Sequence, residues 1–144
     1  MNTRKLLVLV LIVVLTTAAC TPAAKEITVT IEDGKCTLDG GDRISAGDVS
    51  VTLIVKDQDQ QYYGISLLAV PSDKGYDDLA EAAADLEDDF PPAWSQWQGD
   101  ILGVVSDTQT EKTIEIWAGP LYVVCVTNPP LTTIGVLGPV KVVK

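Results

Sequence analysis

Twenty carboxylates and three cysteines are the most reactive side chains of this 144-residue chain, and histidine is absent. The only methionine is Met1. Without an imidazole there is no Ser–His–Asp or Cys–His catalysis and no histidine-dependent metal site. Paired carboxylates serve as acid and base in glycoside hydrolysis, but with twenty of them some pair is inevitable, so pairing singles out no site. Asp73, Asp77, Asp78, Glu81, Asp85, Glu87, Asp88 and Asp89 crowd one segment. Calcium favours such oxygens, yet EF-hand spacing is missing, and the run reads better as a solvated helix face. Asp57 and Asp59 carry the same weak suggestion. No catalytic, cofactor or metal residue is expected, and the chain is not expected to be an enzyme. Tyr62, Tyr63, Trp94 and Trp97 fall in or beside loops. Such rings offer a surface to a sugar, a small ligand or a partner protein. The alternative is that Trp94 and Trp97 cover an edge of the core. Trp117 lies within a strand pattern and reads as packing.

The first twenty residues have the order of a secretory signal. Arg4 and Lys5 precede an unbroken apolar run from Leu6 to Leu15, and Thr17-Ala18-Ala19-Cys20 follows. A cysteine so placed resembles the lipobox of bacterial lipoproteins, with Thr17 where that family usually has leucine. The resemblance implies that residues 1–19 are a removed signal peptide and that Cys20 becomes an acylated, palmitate-bearing N-terminus. Plain secretion and an uncleaved anchor are the rivals; the apolar run from Leu6 to Ala19 is 14 residues, against roughly 20 needed to span. Residues 20–25 would be a short tether and residues 26–144 a single domain. The expected location is extracytoplasmic, lipid-anchored to the cell membrane, and on the outer membrane in a two-membrane host. With Cys20 lipidated and the rest in an oxidising compartment, Cys36 and Cys125 are expected to form a disulfide; two buried free thiols are the alternative. The net charge is −10, and loss of Arg4 and Lys5 makes it −12, which repels nucleic acid.

Alternating and apolar segments define the elements that hold these residues. Glu26 to Asp33 places Ile27, Val29 and Ile31 on one face, as a half-buried strand does. Asp33-Gly34 is a turn signal, and a short strand includes Cys36 and Leu38. Asp39 to Asp42 and Ser45 to Asp48 read as turns, Val49 to Lys56 and Tyr62 to Val70 as strands. A helix is expected over about 77–88, with Leu79, Ala83 and Leu86 on one face, ended by Pro91-Pro92. Ala93 to Asp100 reads as a loop. Ile101 to Val105, Lys112 to Ala118, Leu121 to Val126 and Val136 to Val143 read as strands, the third central because it is nearly all apolar, with Gly119-Pro120 a turn. Seven or eight short strands and one helix predict an all-β sandwich.

From ITVTIEDGKC to the end, this order resembles the cupredoxin family. SAGDVSVTLIVKD (45–57) is similar to its turn and following strand. QYYGISLL (61–68) is similar to the segment where a copper-binding member places its first histidine, here near Tyr63 and Gly64. Gly119-Pro-Leu-Tyr-Val-Val-Cys125 and VLGPVKVV (136–143) are similar to its last two strands. The resemblance implies an all-β, cupredoxin-like Greek-key β-sandwich with one inserted short helix. Copper is not implied, because Tyr63 replaces the first ligand and the loop after Cys125 holds neither histidine nor methionine. It further implies that a Cys36–Cys125 bridge, with Cys36 in a loop, occupies the end where copper would sit. The expected role is a binding or structural one in the cell envelope, with an envelope protein or glycan as partner. The alternative is a sugar- or small-ligand-binding module using Tyr62, Tyr63, Trp94 and Trp97.

Overall fold

The computed structural model describes residues 24–86 and 90–144. Cys20, the leader and residues Glu87, Asp88 and Asp89 lie outside them. Among the described residues, nine strands and one helix follow one another as β1 (Glu26–Glu32), β2 (Lys35–Asp39), β3 (Arg43–Ser45), β4 (Gly47–Val55), β5 (Tyr62–Ala69), α1 (Tyr76–Ala83), β6 (Gln96–Val105), β7 (Thr108–Ile116), β8 (Gly119–Asn128) and β9 (Thr132–Val143). They form a four-stranded sheet, β2-β1-β4-β7, and a five-stranded sheet, β3-β9-β8-β5-β6. Most neighbours are antiparallel; β1 runs parallel to β4, and β3 to β9.

Alternation builds the inner core. Ile27, Val29 and Ile31 of β1 and Val49, Val51, Leu53 and Val55 of β4 meet Ile65, Leu67, Leu121 and Val123 from the other sheet. Asp33 (φ 53°) and Gly34 (φ 65°) form the two-residue β1–β2 turn, where positive φ at both positions matches the strand twist. The five-stranded sheet is also covered outside. Leu79 and Ala83 of α1 pack on Leu68, Tyr122, Val124 and Val136, with Phe90 and Trp94 beside them. Strand β8 is therefore buried on both faces, which accounts for its continuous apolar run.

Three expectations are corrected. The helix stops at Ala83 rather than Asp88. Its last turn has no cation, further carboxylates follow where the helix dipole disfavours them, and the Thr133 hydroxyl donates to the Ala83 carbonyl. At the other end, the Asp78 carboxylate accepts the Gly75 N–H at 3.0 Å. Second, the expected turn over Ser45 to Asp48 is mostly strand: Ser45 ends β3, which pairs with Lys141–Val143 of β9, and Gly47 and Asp48 begin β4. Third, the expected loop over 93–100 is a strand from Gln96 onward, and Gly119-Pro120 begins β8 instead of forming a turn.

Candidate functional site

The side chains considered as candidates gather at the two ends of the sandwich. One end carries the β1–β2, β4–β5, β6–β7 and β8–β9 connections. Cys36 and Cys125 are joined there by a disulfide, with Cα atoms 6.5 Å apart, within the usual range. Cys36 sits in β2 opposite Ile31, as its alternation with Leu38 predicts and not in the loop that the resemblance implied, so the bridge ties an edge strand of one sheet to the central strand β8 of the other. Gly135 faces Cys125 across β8 and β9; a Cβ there would lie 3.2 Å from the Cys36 Cβ, so the glycine leaves room for the bridge.

Beside it, the phase of β5 turns Tyr63 inward with Ile65 and Leu67, 3% exposed. The Tyr63 hydroxyl reaches Asp59 Oδ2 at 2.7 Å and Asp57 Oδ2 at 3.2 Å. Asp57 also accepts the Gly34 N–H at 3.1 Å. Asp59 accepts the Gln61 N–H at 3.1 Å and the Ser106 hydroxyl at 3.2 Å. One phenol thus links three connections. Burial, then the Asp59 hydrogen bond and the Asp57 charge, hold the Tyr63 hydroxyl far above the usual phenol range. The Tyr63 hydrogen bond is the largest influence holding the Asp59 carboxyl below its ordinary value, against desolvation.

The sign of the alkaline response follows. A raised phenol pKa means that, above its ordinary value of 10.0, the unfolded chain releases a proton that the folded chain keeps. Stability is intact below that pH and falls as pH rises through and beyond it. Tyr63→Phe is expected to flatten the fall in urea midpoint between about pH 9 and pH 11, a window set by the phenol's reference pKa. An unchanged slope in the variant would assign the loss to other groups.

The opposite end carries tryptophan. Trp97 is the second residue of β6 and Trp117 follows β7; each is 53% exposed. The Trp117 backbone N–H donates to Gln98 Oε1 at 2.8 Å, which places the two indole-bearing segments side by side. Trp94 is partly buried against the outer core, with Lys74 Nζ 5.7 Å from its ring centroid and 3.1 Å from Asp78. A cleft of about 270 Å³ runs between Trp94, Gln96, Ser72 and Gly119. Trp117 is not packing, as its strand position suggested. Inward Ile114 and Ile116 put it on the outward phase with Glu115, a signal present in the sequence.

The four aromatics expected to share a surface do not. Tyr62 pairs with Val105 and Asn128, whereas Trp97 pairs with Leu68. Leu68 is six residue steps along β5 from Tyr62, roughly 20 Å at the usual rise. Tyr63 is withdrawn into the core. Only Trp94 and Trp97 share an end, and there Trp117 joins them.

Two packed sheets bridged by one disulfide define the class of this chain as an all-β sandwich. It is similar to two solved cupredoxin structures. One is dithionite-reduced auracyanin from the photosynthetic bacterium Roseiflexus castenholzii, at 16% identity and a TM-score of 0.47, over 72% of this chain and 85% of that one. The other is auracyanin B, at 14% identity and a TM-score of 0.40, over 73% and 78%. No family model and no curated protein matches the sequence.

Proposed function

We propose that this chain is an exported, lipid-anchored domain of the cell envelope: a cupredoxin-like sandwich that holds no copper, transfers no electrons and catalyses no reaction. It acts by binding or supporting an envelope partner. The observation that carries this reading is the bond between Cys36 and Cys125. A type 1 copper site uses two imidazoles, a thiolate and a weak axial ligand. Around the disulfide lie the Tyr63 hydroxyl and the Asp57 and Asp59 carboxylates, and the sulfur of Cys125 is already bonded to another. The chain has no histidine, and no methionine after Met1. Hard oxygens and a disulfide do not fit that metal.

Export is supported by the same bridge, since disulfides persist in oxidising compartments, and by the charge, apolar and small-residue order of the leader. Two measurements test the reading. Copper added to the oxidised protein is expected to give no intense visible thiolate-to-copper band; its appearance would refute the metal-free assignment. Mass spectrometry is expected to find an acylated Cys20 at the mature N-terminus, and Cys20→Ser to release the protein from the membrane fraction. An unmodified Cys20 would refute the anchor.

A further inference from the structure

The end bearing Trp97 and Trp117 is also the end at which the chain enters the fold. Ala24 forms a bridge with Ile44, and β1 begins at Glu26 beside Ser50 near the start of β4. The first residues of β6 and β8 and the last residues of β7 and β9 lie at this same end. Ala24 is four residue steps from Cys20, so a lipid on Cys20 holds this end within about 14 Å of its attachment point at ~3.4 Å per residue. The two residues most out of place in water there are tryptophans, each about half exposed. An indole has an apolar body and a single N–H donor, and such rings favour the membrane–water interface.

We propose that Trp97 and Trp117 seat this end of the domain in the headgroup region of the bilayer that holds Cys20. This deepens the anchored reading above and rests on it. The disulfide end, with Asp57, Asp59 and Tyr63, then faces away from the membrane. Charge selects the lipid. Asp48 and Glu115 are cross-strand neighbours near the tryptophans, while Lys25, Arg43 and Lys141 lie at the same end, so this face carries both signs of charge and a zwitterionic headgroup is its matched partner.

The chain has three tryptophans, which makes the test direct. Full-length lipidated protein is reconstituted into phosphatidylcholine vesicles, with and without brominated acyl chains, and vesicles are floated before fluorescence is read. Trp97 and Trp117 emission is expected to be quenched by bromine several-fold more than that of Trp94. The double variant W97F/W117F, which keeps Trp94 alone, is expected to float but lose the bromine response. Flotation with no bromine quenching of the parent would overturn the proposal and leave the anchor standing. Failure of the parent to float would overturn the anchor and the proposal with it. Protection of the same indoles by a soluble oligosaccharide, without bromine quenching, would assign them to a glycan and also overturn it.

Discussion

A chain with Cys36→Ser and Cys125→Ala is expected to lose about 4.5 kcal/mol of folding stability, the chain-entropy value for a closed loop of this size. The two cysteines are 89 residues apart, so the bridge forbids most of the open conformations of the unfolded ensemble. Alanine is chosen at position 125 because that site is fully buried, where a serine hydroxyl without a partner would add about 1–3 kcal/mol of unrelated cost. Cys36 is only partly buried, and serine suits it. The loss is large against the roughly 5–15 kcal/mol that holds a domain together. With a urea slope near 2 kcal/mol per molar it lowers the midpoint by on the order of 2 M. Reduced parent protein is expected to unfold at the variant's midpoint, because both lack the same constraint. Two reactive thiols in the denatured, unreduced parent, or a variant within about 1 kcal/mol of it, would contradict this account.

How far the sequence disclosed this arrangement depends on what each residue faces. Strands β1, β4 and β7 each have one wet face, and their alternation was readable. Strand β8 was readable for the opposite reason: both its faces are covered, so its apolar run marked it as central. Strand β3 was hidden. It has three residues, and its partner in β9 lies about a hundred positions away, so no local pattern reports it. The first half of β6 was hidden by a glycine. A Cβ at Gly99 would come within 2.7 Å of Ile114 Cγ2, so the isoleucine of the facing sheet fills the space that an inward apolar residue would have marked. The Cys36–Cys125 pairing is legible from cysteine count and compartment, and the strand holding Cys36 from its alternation with Leu38; only the loop position that the resemblance implied for Cys36 fails. By residue type Tyr63 reads as a surface ring, but strand phase sets its place. With Ile65 and Leu67 inward, the phase already directs Tyr63 inward and leaves Tyr62 outside, and the hydroxyl's partners Asp57 and Asp59 stand four to six residues before it.

Leu79→Ala is expected to release the helix while leaving the sandwich folded. Leu79 is fully buried, and truncating such a side chain costs about 2–5 kcal/mol. Its contacts belong to the outer cluster with Leu68, Tyr122, Val124 and Val136, which the five-stranded sheet separates from the inner core. An eight-residue helix is far below the length of roughly 12–15 residues at which isolated helices begin to persist in water. Without the Leu79 anchor, α1 therefore has little to keep it folded, and the loss appears as local opening before global unfolding. Hydrogen exchange is expected to accelerate at the α1 amides and hardly at all in β1 and β4. Trp94 packs on the same cluster, so its emission is expected to shift to the red, while the alkaline response that depends on Tyr63 is retained. Equal acceleration of exchange in α1 and in β4 would show instead that the two cores melt as one.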